Sequence, residues 1–198
     1  LIKEYFSNYF LNNSDVTFDL KNNKMNIYKS SSESWKITLV NTGKDTLTGG
    51  RLKRVANYLA DEEFFCLTYG DGLSDVNISE LIKFHQNHDK LLTVTATKPP
   101  GRYGALEIEN NLVKSFNEKP RGDGSWINGG YFVVKTKAIN YIKNDNMSWE
   151  QDVMGKIASD NQLMAFKHDG FWQPMDTLRD KKILEDLWYQ QKAPWKVW

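Results

Sequence analysis

The apolar run Phe64-Phe65-Cys66-Leu67-Thr68 passes directly into Tyr69-Gly70-Asp71-Gly72, and this junction constrains the fold more than any other stretch. The run reads as a buried strand, and the glycine-flanked acid as the turn that ends it. Glycines at such a turn let the backbone approach a ligand closely. An aspartate at the carboxyl end of a strand in an α/β sheet lies where such sheets bind ligands. A second acid, Asp176, sits in the loop-like Trp172-Gln173-Pro174-Met175-Asp176-Thr177. Two such carboxylates could hold one Mg²⁺, a hard cation that prefers oxygen and often bridges protein to phosphate. Each could equally be a turn aspartate that stabilises its own loop.

Around that junction, strands and helices mix. A helix runs to about Phe10, and two alternating segments, 16–20 and 25–28, form a hairpin across Lys21-Asn22-Asn23-Lys24. Residues 35–40 read as a further strand. Residues 48–59 read as an amphipathic helix with Leu52, Val55, Ala56 and Leu59 on one face. Asn77 caps the next helix, and 91–97 is a buried strand rich in β-branched residues. The segments 105–109 and 112–116 pair as a hairpin across Asn110-Asn111. A strand at 131–134 and helices at 137–142, 149–159 and 177–190 complete the pattern. This order favours a single α/β domain over residues 1–198, with antiparallel hairpins decorating a mainly parallel sheet.

Composition narrows the function classes. The 26 Lys and Arg against 25 Asp and Glu give a net charge of +1, which argues against a generic nucleic-acid binder. No run of about 18 apolar residues reads as a membrane span. The single cysteine, Cys66, excludes an internal disulfide and reads as a buried small hydrophobe; a cytoplasmic setting fits. His85 and His88 are three apart on a helix, but no third ligand is evident and His85 falls on the apolar face, so the pair reads as structural.

Six segments occur in order: Thr48-Gly49-Gly50-Arg51-Leu52-Lys53-Arg54; Tyr69-Gly70-Asp71-Gly72; Pro99-Pro100-Gly101-Arg102-Tyr103-Gly104-Ala105-Leu106; Phe116-Asn117-Glu118-Lys119-Pro120; Trp126-Ile127-Asn128-Gly129-Gly130-Tyr131-Phe132; and Gly170-Phe171-Trp172-Gln173-Pro174-Met175-Asp176-Thr177. Together they resemble the sugar-phosphate nucleotidylyltransferases, along essentially the whole chain. Within that family the likeness is to the branch that joins CTP and α-D-glucose 1-phosphate into CDP-glucose and pyrophosphate, for deoxysugars of bacterial surface polysaccharide.

The resemblance implies a Rossmann-like nucleotidyltransferase layer sandwich with a mixed, mainly parallel sheet. It implies Mg²⁺ on Asp71 and Asp176, and Lys119 at the sugar phosphate as a point charge. Glu118, Gly104, Asn128 and Gly129 would face the hexose, and Thr46, Arg51 and Gly70 the nucleotide. Arg51 near a helix start could combine its guanidinium with backbone amides for an anion. Read without the resemblance, Glu118-Lys119 could be a surface ion pair, Arg51 an exposed helix arginine, and the glycines turn formers.

The family's opening strand, its GGxGTRL loop and its PKPM lysine have no counterpart from Leu1 onward. The chain is therefore expected to lack that segment, to be inactive alone, and to leave either a gap or a substituted segment beside the Asp71 strand. Tail aromatics Trp195 and Trp198 are expected to pack on the domain or on a neighbouring subunit of a homo-oligomer. Other readings are a relative using UTP, dTTP or ATP, and a non-catalytic sugar-phosphate-binding module.

Overall fold

The computed structural model describes residues 1–31, 33–99, 105–117 and 126–197. The chain divides into two compact units, Leu1–Thr42 and Gly43–Trp198. The first holds helix α1 (Ile2–Asn12) and the hairpin β1 (Ser14–Asp19) and β2 (Lys24–Ser30), paired antiparallel with Val16 opposite Ile27 and Phe18 opposite Met25. Its turn is closed by Asp19, which accepts from the Asn22 amide at 3.0 Å, and Asn23 takes the left-handed conformation, φ 51°, that asparagine tolerates. Residues 35–40, expected as a strand, form no ladder among the described residues.

In the second unit α2 (Thr48–Arg54) passes into a 3₁₀ turn (Ala56–Tyr58), followed by β3 (Phe64–Thr68), β4 (Gly72–Ser74), α3 (Ile78–Gln86) and β5 (Leu92–Thr97). The hairpin β6 (Ala105–Glu109) and β7 (Leu112–Asn117) precedes β8 (Ile127–Lys135), a 3₁₀ helix (Thr136–Tyr141), a π-helical turn (Trp149–Met154) and α4 (Gly155–Ser159). The chain closes with β9 (Leu163–His168), β10 (Trp172–Pro174) and α5 (Leu178–Tyr189).

Four strands form the central sheet in the order β3-β8-β5-β9. It is mixed, as expected, but the balance differs from a mainly parallel sheet: β8 runs antiparallel to β3 and β5, and only β5 and β9 are parallel. The reason lies in the connection. The chain leaves the sheet at Thr97 and re-enters at Ile127, and these two residues are paired. Leaving and returning at the same end forces reversal.

Strand β5 explains the layering. Leu92, Val94 and Ala96 alternate with Thr93, Thr95 and Thr97, and all six are buried. The apolar set joins Phe132, Val134, Ile139, Trp149, Val153 and Ile157 in the main core. The threonine face meets α3, where the His85 ring nitrogen Nδ1 lies 2.8 Å from Thr93 Oγ1 and His88 Nε2 lies 2.9 Å from the same oxygen. Both rings thus meet β5 through the Thr93 hydroxyl, and His85 lies on the buried face of α3, as the apolar pattern of that helix suggested. Strand β3, in contrast, is not a buried strand. It sits at the sheet edge with no partner strand on its outer side among the described residues, and Cys66 is exposed.

His85 makes a testable prediction. Burial, with smaller contributions from His88 and Lys135, lowers its pKa from 6.5 to about 4, and its Nε2 has no hydrogen-bond partner among the described residues. A histidine held neutral in the fold adds stability that is complete above pH 6.5 and is lost as pH falls through 6.5 toward 4. The expected loss is about 3 kcal/mol across that interval. Urea denaturation at pH 7.5 and pH 4 should show the drop, and His85→Gln should remove most of it.

Candidate active site

The site is built where β4 and β10 form a short antiparallel ladder, Gly72 opposite Pro174 and Ser74 opposite Trp172. One step beyond, the Met175 amide donates to the Asp71 carbonyl at 2.7 Å. Asp71 and Asp176, far apart in sequence, thus lie at the same end of one ladder. The opposite end is closed by three contacts: His168 Nε2 lies 2.9 Å from Asp75 Oδ1, the Phe171 amide donates to that oxygen at 2.7 Å, and Ser74 Oγ donates to the Phe171 carbonyl at 2.8 Å.

Two hydrogen bonds pin this ladder onto the start of β8. Trp172 Nε1 donates to the Gly129 carbonyl at 2.8 Å, and Tyr131 Oη donates to the Gly72 carbonyl at 2.8 Å. A shallow cleft of about 40 Å³ results, lined among others by Tyr69, Asp71, Asn128, Gly129, Trp172 and Pro174. Gly129 is required by packing: a Cβ there would come within 2.9 Å of the Thr95 carbonyl oxygen. Gly130 has φ 79°, and its missing side chain leaves room for the Tyr69 ring.

The Asp176 arm is held from both sides. Gln173, buried, donates from Nε2 to Asp180 Oδ1 at 3.0 Å. Thr177 caps α5: its hydroxyl accepts from the Asp180 amide, and the Asp180 carboxylate accepts from the Thr177 amide. This capping box fixes the residue directly after Asp176. The tail beyond α5 folds back, with the Trp195 ring 5.5 Å from that of Phe171. That aromatic therefore packs on its own domain.

The two carboxylates suit a hard divalent ion. Both residues are exposed, and no hydrogen bond or ion pair occupies either carboxylate among the described residues. No group of three or more His, Cys, Asp or Glu could hold a metal among those residues, so two carboxylates would leave further positions to water and phosphate oxygens, the usual habit of Mg²⁺.

The nucleotide-side candidates occupy a neighbouring region. Thr46 is buried just before α2, and Arg51 Nη2 donates to the Lys44 carbonyl at 3.1 Å. The pairing of Arg51 with free helix amides does not hold at Gly49 and Gly50, because both amides donate to the Met147 carbonyl, at 3.0 and 3.3 Å. Gly70 is exposed, with open space where a Cβ would stand. Asn128 is exposed beside the cleft, its Oδ1 accepting from the Gly130 amide at 2.8 Å. Gly104, Glu118 and Lys119 lie outside the described residues.

One residue joining these regions was not singled out from sequence. Glu150 Oε1 accepts from Tyr69 Oη at 2.6 Å, and its Oε2 accepts from Thr48 Oγ1 and Ser148 Oγ, both at 2.8 Å. Burial pushes the carboxyl pKa up, but the three hydroxyls together outweigh it and leave it below its ordinary value. Burial first, and then Glu150, push the Tyr69 phenol well above its ordinary range. In sequence Glu150 is merely an acid in a first helical turn, so no local pattern marked it.

Comparison with known proteins fits this geometry. A family model described as Nucleotidyl transferase matches residues 7–180. Glucose-1-phosphate cytidylyltransferase of Salmonella typhi is 56% identical over 198 residues, covering 100% of this chain and 77% of the relative. The probable glucose-1-phosphate cytidylyltransferase of Bacillus subtilis (strain 168) is 38% identical over the same shares. Among solved structures, a putative glucose-1-phosphate thymidylyltransferase from Bacillus anthracis aligns with TM-score 0.56 at 16% identity, over 73% of this chain and 62% of that one. HddC from Yersinia pseudotuberculosis aligns with TM-score 0.52 at 23% identity, over 71% and 61%; both share the fold. A mixed-sheet α/β domain that sets two acids on one ladder, with a family match over residues 7–180, establishes that the chain belongs to the nucleotidyl transferase family.

Proposed function

We propose that this protein transfers a cytidylyl group from CTP to α-D-glucose 1-phosphate, giving CDP-glucose and pyrophosphate. The observation that carries this reading is 56% identity along the entire chain to the Salmonella typhi enzyme named for that activity. The placement of Asp71 and Asp176 at the same end of one ladder is in keeping with it.

Both reactants are anions, so the site must offset repulsion while the sugar phosphate approaches the α-phosphorus. Mg²⁺ held by Asp71 and Asp176 would supply charge neutralisation and a template for the triphosphate. The chain's own residues bind and orient. Lys119 sets a compact ammonium against the sugar phosphate. Glu118 and Asn128 offer hydrogen bonds to hexose hydroxyls, Gly104 lets the backbone come close to the sugar, and Gly129 lines the cleft. Thr46, Arg51 and Gly70 serve the nucleotide. Trp172, fixed to Gly129, presents an aromatic wall to the same cleft. The cytoplasm, where nucleoside triphosphates are available, suits this chemistry. Among the described residues no helix is long and apolar enough to cross a membrane.

The test is product formation by the full-length protein with CTP, UTP, dTTP and ATP in turn, each with glucose 1-phosphate. CDP-glucose should be the dominant product. Equal or better turnover with dTTP would reject the choice of base. In the same assay Lys119→Ala should raise the KM for glucose 1-phosphate roughly tenfold, about 1.4 kcal/mol of lost binding. An unchanged KM would remove Lys119 from the sugar-phosphate site.

A further inference from the structure

Glu150 is half-buried, yet no ion pair neutralises it among the described residues. Its two oxygens are taken up by three hydroxyls from three parts of the chain: Tyr69 at the end of β3, Thr48 at the start of α2, and its own neighbour Ser148. Thr48 Oγ1 in turn accepts from the Trp149 amide at 2.9 Å, so the helix start and the π-helical turn are bonded reciprocally. Three hydroxyl donors thus satisfy the carboxylate without a cation and tie three parts of the chain to one side chain.

The geometry leads to Asp71. Tyr69 lies two residues before it. The Tyr69 ring occupies the space left by Gly130, its edge meets Phe132 at a centroid distance of 5.6 Å, and its hydroxyl is aimed at Glu150. Asn128 Nδ2 lies 3.4 Å from the same hydroxyl. Gly70 has open space where a Cβ would stand, so the turn is fixed only on either side of it, by Tyr69 before and by the Met175 amide on the Asp71 carbonyl after. Tyr69 is the last firmly packed side chain before Asp71.

We infer that Glu150 is a positioning residue: through the Tyr69 hydroxyl it sets the course of the chain into Gly70-Asp71, and through Thr48 it ties that course to α2. Its effect is to hold the Asp71 arm in register with the already braced Asp176 arm. This rests on the proposed metal role of Asp71, and the experiment separates the two.

Full-length wild type, Glu150→Gln, Tyr69→Phe, the double variant and Asp71→Asn would be compared. Mn²⁺ binding is read by water-proton relaxation with saturating CTP, and the Mg²⁺ concentration for half-maximal rate is read in parallel. Glu150→Gln and Tyr69→Phe should each weaken Mn²⁺ binding about tenfold and raise the Mg²⁺ requirement to match. The double variant should be no worse than either single, because both break one connection. Tyr69→Phe keeps the ring and its packing, so it reports even if Glu150→Gln folds poorly. Unchanged Mn²⁺ affinity in Tyr69→Phe, with only a lower Tm, would overturn the inference while leaving the metal reading intact. Unchanged affinity in Asp71→Asn would overturn both.

Discussion

Replacing Asp176 by Asn should lower kcat by about 100-fold or more while leaving the fold in place, since a charge is removed and the shape kept. The expectation follows from where the residue stands. Asp176 lies between β10 and the Thr177–Asp180 capping box, and its own carboxylate takes part in no hydrogen bond or ion pair among the described residues. Asn at this position therefore disturbs nothing that supports the loop. Asp71→Asn should behave the same way, because its backbone carbonyl, which receives the Met175 amide, is unchanged. The two substitutions should also be far from additive, since loss of either carboxylate spoils one shared ion. Steady-state rates over a range of Mg²⁺, with circular dichroism to confirm folding, provide the check. A near-native kcat in either variant would refute a shared metal.

A second large effect is expected at Gly50. A Cβ there would fall on the Asp145 backbone, 2.6 Å from its Cα and closer still to its carbonyl oxygen. Backbone cannot swing aside as a flexible side chain can. Gly50→Ala should therefore push α2 away from residues 145–147 and strain the Leu47 amide's bond to the Asp145 carbonyl. The cost should be about 3 kcal/mol, the upper part of the usual overpacking range. In a domain this size that corresponds to a Tm lower by roughly 6–12 °C. The same displacement pulls Thr48 from Glu150, so activity measured well below the Tm should also fall. Gly155→Ala is the control, because nothing lies within 4 Å of a Cβ at that site.

Some of this architecture was legible in the residues and some was not. The β-branched residues of 91–97 announced a buried strand, and β5 is buried throughout. Asn77 and Thr177 announced helix starts, and both side chains do accept from the amide three residues on. Strand β9 was missed because Leu163-Met164-Ala165-Phe166-Lys167-His168 contains no β-branched residue; its extended form comes from parallel pairing with β5, a long-range cause. The opposite error occurred at residues 35–40, where β-type composition finds no partner strand among the described residues. The helix read over 48–59 breaks at Val55, where the Val55 amide bonds three residues back to Leu52. The segment at 149–159 starts as a π turn, with both the Asp152 and Val153 amides donating to the Ser148 carbonyl.

The site divides along the same line. Asp71, Asn128 and Gly129 were identified from their motifs, and they share one cleft. That Asp176 stands at the same end of the β4–β10 ladder as Asp71 follows from long-range pairing, which neither three-residue strand signals by itself. Glu150 was invisible because its meaning depends on Tyr69, 81 residues away. Exposure of Cys66 was misjudged because an apolar run says nothing about whether its strand is central or peripheral.

The peripheral position of β3 bears on how firmly Asp71 is carried. In an antiparallel pair only alternate residues of a strand bond to a given neighbour. With β8 on one side of β3 and no partner strand on the other among the described residues, successive amides along residues 64–68 should differ in their exchange with deuterium: slow, fast, slow, fast. The amides of β5, flanked by β8 and β9, should be slow throughout. Among the described residues the Asp71 turn follows a strand paired on one side, whereas Asp176 is followed by a capped helix.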